Sequence, residues 1–160
     1  MCPDIDIVPV INEASSSDVN MMSALSLAFV GDSVYDLMIR SYILSNGDAR
    51  AEMLHKLATK YANASFQAAA AQKLADILTE EELAVYKRGR NAHSAHTPKN
   101  KSESEYHKAT GFEALLGYLY LKGRKDRLKE LFEFILNTEK EDETENEKED
   151  SPFDIFAKRK

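Results

Sequence analysis

The chain has 160 residues, of which 43% are hydrophobic, and a formal net charge of −6. This length and apolar share are typical of one globular domain. The lone cysteine, Cys2, excludes an internal disulfide framework and a zinc site built from several cysteines. The chain begins without the basic and apolar blocks of a signal peptide, and no run approaches the roughly 20 apolar residues of a membrane span. We therefore expect a cytoplasmic protein.

The negative charge is concentrated near the C-terminus. The segment 139–150, EKEDETENEKED, has eight acidic residues and two lysines, so it alone accounts for the net charge. The segment 86–108 is basic, with Lys87, Arg88, Arg90, Lys99, Lys101 and Lys108 against two glutamates. The acidic run is typical of disorder, whereas the basic segment is suited to an anionic partner such as nucleic acid.

Apolar residues recur at helical spacing, and no strand pattern extends beyond a short alternation at the N-terminus. The spacing predicts helices over 23–44, from Asp48 as a cap to 61, and over 66–78, 79–86, 105–122 and 126–136. Asn46-Gly47 should end the first helix, and Thr79 with Glu82 forms a capping box for the fourth. The expected fold class is all-α, a helical bundle.

Residues 91–104, NAHSAHTPKNKSES, lack periodicity and are predicted to form a loop. We expect a folded domain over 18–137, an N-terminal extension over 1–17 and an acidic, disordered tail over 138–160. The end of the chain carries an apolar cluster formed by Phe153, Ile155 and Phe156. That cluster could dock on the domain, although a tail without an ordered role is the simpler expectation.

Two predicted helices each carry one acid within a stripe of small residues. The stripes are Ala28, Gly31, Asp32 and Tyr35 on the first helix, and Thr110, Glu113, Ala114 and Gly117 on the fifth. Small residues let helix backbones approach closely, so these helices should pack together and bring Asp32 near Glu113. A hard divalent cation such as Mg²⁺ would relieve the repulsion between the two carboxylates. Solvent or a local Lys or Arg would relieve it too, so spacing alone leaves both explanations open.

The same stretches resemble a known family. The segments LSLAFVGDSVYD (25–36), YKRGRNAHSAHTPKN (86–100) and HKATGFEALLGYLYLKG (107–123) are similar, in this order, to motifs of the ribonuclease III catalytic domain. The resemblance is closer still to Mini-ribonuclease III, the short bacterial form of that family without a double-stranded-RNA-binding domain. It covers roughly residues 18–136, and three ordered motifs make it specific.

The resemblance implies metal-dependent hydrolysis of RNA phosphodiesters, with metal ions activating a water for in-line attack. Asp32 and Glu113 match the family's catalytic, metal-binding acids, and Mg²⁺ is the expected cofactor, with Mn²⁺ as a substitute. Ala28 and Thr110 stand where the full-length enzyme has a further Glu and Asp. The short form shares this reduction, so substrate phosphate and water would complete the coordination.

The resemblance also implies a homodimer that cuts double-stranded RNA and matures precursor large-subunit (23S) ribosomal RNA. The predicted RNA-binding residues are Lys87, Arg88, Arg90, Asn91, Lys99, Asn100 and Lys101, because proteins hold A-form RNA by its phosphates and 2′-hydroxyls. His93 and His96 either contact RNA or metal or belong to a solvated loop. Three aromatic residues, Phe29, Phe112 and Tyr118, are either core or interface.

Two other functions are compatible with the sequence. One is a non-catalytic RNA-binding or ribosome-associated module on the same fold. The other is a helical adaptor that binds protein through its acidic tail.

Overall fold

The computed structural model describes residues 16–92, 103–145 and 152–157, which contain eight helices and no strand. The helices are α1 Ser16–Met21, α2 Ala24–Ser45, α3 Ala51–Ala62, α4 Ala64–Leu74, α5 Glu80–Asn91, α6 Glu103–Leu121, α7 Lys125–Glu145 and α8 Asp154–Ala157. The all-α prediction is confirmed. None of the described helices has the length and apolar character needed to cross a membrane.

Local signals set several helix ends as predicted. Asn46 caps the end of α2, and Gly47 follows with a φ of +144°, a left-handed conformation that favours glycine. The capping box before α5 is present in full: the Thr79 hydroxyl accepts from the Glu82 backbone, and the Glu82 carboxylate accepts from the Thr79 backbone. The predicted cap at Asp48 is wrong, because α3 begins after Arg50, whose side chain makes no capping hydrogen bond.

Helix α6 is the centre of the bundle, with α2, α4, α5 and α7 packed against it. Phe112 and Tyr118 on this helix are fully buried, and the Phe112 ring meets Tyr35 of α2 edge-on at 5.1 Å between ring centres. Phe29 is 82% exposed. The open question about these aromatic residues is thereby answered: Phe112 and Tyr118 are core, and Phe29 lies on the surface.

The backbones of α2 and α6 come into direct contact at two glycines. A Cβ added to Gly31 would lie 1.7 Å from the carbonyl oxygen of Glu113, and one added to Gly117 would lie 1.9 Å from that of Leu27. Any side chain at either position would push the helices apart. The predicted crossing of two small-residue stripes is therefore confirmed.

The C-terminal part is more ordered than predicted. Helix α7 continues beyond the predicted end at Leu136 to Glu145, and Lys73 of α4 forms ion pairs with Asp142 (2.5 Å) and Glu139 (3.5 Å) on it. The apolar cluster of Phe153, Ile155 and Phe156 docks on the domain, whereas the simpler expectation was a tail without an ordered role. Its Phe153 ring lies 5.4 Å from the ring of Tyr42 and stacks on Tyr61 at 6.3 Å. The domain limits themselves stay a prediction.

Candidate active site and nucleic-acid surface

Asp32 and Glu113 meet at the crossing of α2 and α6. Gly31 directly precedes Asp32 in α2, and the backbone carbonyl of Glu113 faces Gly31 across the helix contact. Their carboxyl groups are close enough to share a hydrogen bond. Asp32 is exposed and Glu113 is partly buried, so the pair lies at the edge of the core with one acid open to solvent.

The surroundings of Glu113 disfavour its ionised form. Burial, together with the negative charge of Asp32, raises the pKa of Glu113 to about 7, while a hydrogen bond from the Gln67 side chain opposes that rise. In the absence of a cation, a large share of Glu113 is therefore protonated at neutral pH. A bound cation would reverse this preference, because it replaces repulsion by attraction.

Gln67 is a site residue that the sequence analysis missed. It lies on α4 and is only 2% exposed, in the same buried stripe as Ala71 and Leu74. The available signal was a polar side chain at helical spacing from a leucine on an otherwise alanine-rich face. That signal says that the amide is buried, but not that its partner is Glu113 on another helix.

The two positions at which the full-length family has extra acids contribute no carboxylate here. Ala28 is 5% exposed, and the Thr110 hydroxyl donates to the Tyr106 carbonyl at 3.0 Å, within its own helix. Among the described residues no three His, Cys, Asp or Glu side chains group together as a metal site. Two carboxylates still fit Mg²⁺, which keeps several waters and is held by one or two carboxylates together with substrate phosphates.

The end of α5 presents the first group of predicted RNA-binding residues. Lys87 and Asn91 are exposed one helical turn apart. Arg88 is also exposed, but its guanidinium donates to the Met22 carbonyl at 2.7 Å. Arg90 lies over the Tyr86 ring, 5.8 Å from the ring centre. The other predicted residues, Lys99, Asn100 and Lys101, together with His93 and His96, lie outside the described residues.

A cleft of about 560 Å³ opens where the end of α5 meets the start of α6. Its walls are formed by Arg90, Asn91, Glu103, Ser104, His107 and Lys108. Lys108 was counted in the basic segment without a role, and the structure places it opposite Arg90 and Asn91. It precedes Glu113 by about one and a half turns of α6. The cleft therefore adds a cation from α6 to the basic end of α5.

Comparison with known proteins identifies the domain. The family model described as "Ribonuclease III domain" matches residues 25–124, which include Asp32, Gln67 and Glu113. The chain belongs to the ribonuclease III family of endoribonucleases. This match confirms the family resemblance carried by the three motifs.

Curated relatives place the chain in the Mini-ribonuclease III branch of the family. It is 44% identical to Mini-ribonuclease 3 of Enterococcus faecalis over 121 residues, 74% of this chain and 92% of that protein. It is 40% identical to Mini-ribonuclease 3 of Clostridium tetani over 86% of this chain and 91% of that protein. A crystal structure of a Fusobacterium nucleatum protein, 31% identical, aligns with 76% of this chain and 98% of that chain at a TM-score of 0.68.

Proposed function

We propose that the chain is a Mg²⁺-dependent endoribonuclease that cleaves double-stranded RNA, with Asp32 and Glu113 as its catalytic metal-binding acids. The observation that carries the proposal is the carboxyl pair at the α2–α6 crossing. The ionised pair is unfavourable in the metal-free protein, and its charge and oxygen donors suit a divalent cation. The family of this domain makes RNA the substrate.

The chain's own residues have separate tasks in this reaction. When bound, Mg²⁺ supplies Lewis-acid activation of water and neutralises phosphate charge. Asp32, being exposed, holds the side of the site that faces RNA, whereas Glu113 anchors the site to α6. The rigid glycine contact between the helices keeps the two carboxylates together without a flexible loop.

RNA is held by the basic surface at the α5–α6 junction. Lys87, Arg90, Asn91 and Lys108 supply donors for phosphates and 2′-hydroxyls on the described part of this surface. Lys99, Asn100 and Lys101, outside the described residues, remain predicted RNA-binding residues of the same basic segment. Arg88 contributes to a lesser extent, because the Met22 carbonyl already occupies part of its guanidinium. Binding should weaken steeply with salt, since phosphate contacts release counterions.

We further infer a homodimer with one cleavage centre in each subunit. Leu25 and Phe29 lie one turn apart on the exposed face of α2, and Met21 of α1 is also exposed. Exposed large apolar side chains of this kind mark association surfaces. Precursor 23S ribosomal RNA remains the expected natural substrate, Mn²⁺ the expected substitute cation and the cytoplasm the expected location.

The deciding experiment is cleavage of a long RNA duplex in Mg²⁺ by the parent and by Asp32→Asn and Glu113→Gln. Each variant should lose at least about 100-fold in rate, because a metal site supplies several kcal/mol to such a reaction. Matched controls are Asp36→Asn, a partly buried acid one turn further along α2, and Glu105→Gln on α6, whose side-chain oxygen can still accept the hydrogen bond from Ser65. Both controls should cut like the parent.

RNA binding in EDTA separates the proposal from its alternative. The proposal expects all variants to bind duplex RNA like the parent. If the parent binds RNA but cuts neither a plain duplex nor precursor ribosomal RNA, the non-catalytic RNA-binding module replaces the nuclease.

A further inference from the structure

Apolar packing alone does not explain why the side-chain amide of Gln67 is buried. Its neighbours in the buried stripe of α4 are Ala68, Ala70, Ala71 and Leu74. A buried amide without a hydrogen-bond partner costs about 1–3 kcal/mol, so a leucine or methionine would suit this stripe better unless the amide has a task. The amide forms a hydrogen bond with the Glu113 carboxyl of α6.

Several contacts fix helix α4 in the bundle, and they thereby fix the position of the Gln67 amide relative to α6. Helix α4 packs directly on α6. Asn63 caps its first turn by accepting from the Phe66 backbone at 2.9 Å, and Ser65 donates to the Glu105 carboxylate of α6 at 2.8 Å. The Phe66 ring is also held edge-on against Tyr61 at 5.1 Å. The residues that precede Gln67 in α4 are thus fixed by contacts outside the site.

We propose that Gln67 is a positioning residue, whose amide holds the Glu113 carboxylate towards Asp32 and so prepares the pair for a divalent cation. The proposal rests on the metal-binding role given above to Asp32 and Glu113. A carboxylate on a long side chain would otherwise turn away from a neighbour of the same charge. An amide donor holds one carboxylate without adding charge, which a Lys or Arg at this place could not do.

The test compares Gln67→Met with Gln72→Met in the RNA-free protein. Methionine keeps the length and burial of the side chain at position 67 but has no donor. Gln72 is exposed on the same helix, so its replacement controls for the change in composition. Mn²⁺ is the probe, and its binding is followed by the loss of the free-ion EPR signal. Urea unfolding in EDTA reports the stability of each protein separately.

A positioning role predicts about 10- to 100-fold weaker Mn²⁺ binding for Gln67→Met, the usual effect of losing a group that orients a metal ligand. Gln72→Met should bind like the parent. Gln67→Asn, which keeps the amide on a shorter stem, serves as the second variant if the methionine protein does not fold, and it should also bind more weakly. A role in packing alone would change the urea midpoint and leave the Mn²⁺ affinity unchanged.

Two results overturn the proposal, and they are distinguishable. If the parent and Gln67→Met bind Mn²⁺ equally, Gln67 is a core residue and the proposed nuclease stands. If the parent binds no Mn²⁺ at all, both this proposal and the metal-binding role of the two acids fall.

Discussion

Replacing Glu113 by glutamine should stabilise the metal-free protein at pH 8 while abolishing RNA cleavage. The amide of a glutamine at this position can accept the hydrogen bond from Gln67 and donate one to Asp32, as a protonated Glu113 would. The variant therefore mimics the neutral acid and removes the repulsion. Glutamate is needed at position 113 because cleavage requires its negative charge, although that charge lowers the stability of the folded protein.

The magnitude follows from the pKa of Glu113, which burial and the charge of Asp32 raise from 4.5 to about 7. Each tenfold change in the ionisation constant corresponds to about 1.4 kcal/mol, so the ionised carboxyl costs the folded state up to about 3 kcal/mol. Asp32 is exposed, and water screens part of the repulsion, so we expect about 1–3 kcal/mol. The folded state has the higher pKa, so the parent loses stability relative to the variant as the pH rises from about 4.5 to about 7. Above that the difference is constant.

The assay is urea unfolding of parent and variant in EDTA between pH 5 and 8.5. The gain of the variant should be small at pH 5 and complete by pH 8. Glu105→Gln on the same helix is the control, and it should show no comparable gain in stability at pH 8. Adding Mg²⁺ should stabilise the parent but not the variant, since only the parent retains both carboxylates.

Two results would refute this reasoning. A variant that is no more stable than the parent at pH 8 would show that the two carboxyls do not repel in the folded protein. A gain of the same size at pH 5 and pH 8 would show that glutamine packs better for reasons unrelated to charge.

Three further substitutions test the framework around the site, each by urea unfolding in EDTA. Gly31→Ala should lower the free energy of unfolding by more than about 3 kcal/mol, because its Cβ would meet the Glu113 backbone at 1.7 Å; Ser33→Ala is the control, and an unchanged midpoint would contradict the close crossing. Arg127→Met should cost about 3–5 kcal/mol at pH 7, because it leaves the buried Glu82 carboxylate without its cation. The loss should shrink as the pH falls and Glu82 is protonated, and a loss independent of pH would count against this reasoning. Phe153→Ala should cost about 1–3 kcal/mol, since its half-buried ring packs on two tyrosines, and no loss would mean that the C-terminal segment does not dock.

Features that depend on short stretches of sequence were predictable. The capping box at Thr79, the stop at Gly47 and the all-α architecture follow from local patterns that act wherever the helix packs. The crossing at Gly31 and Gly117 was also predictable, because two stripes of small residues have few other ways to bury themselves. The meeting of Asp32 and Glu113 is a consequence of that crossing.

Features that depend on the exact angle and packing of another helix were not predictable. The exposure of Asp32 and the partial burial of Glu113 are set by the angle of the crossing, which the stripes alone do not specify. The contact of Gln67 with Glu113 requires the packing of α4 on α6. The acidic composition of residues 139–145, the last part of α7, indicates disorder, but Lys73 on another helix pairs with two of their carboxylates and favours the helix.

The site and the core of this protein share one contact, which affects how substitutions near it should behave. The Gly31 and Gly117 contact both closes the centre of the bundle and sets the separation of the two carboxylates. A larger residue at either glycine would move α2 away from α6, and the carboxylates would separate by a similar distance. A displacement of about 1 Å can cost about 100-fold in rate, whereas the same displacement costs the core only a few kcal/mol. Substitutions along this crossing should therefore abolish cleavage in proteins that still fold, and a folded Gly117→Ala variant with full activity would contradict that coupling.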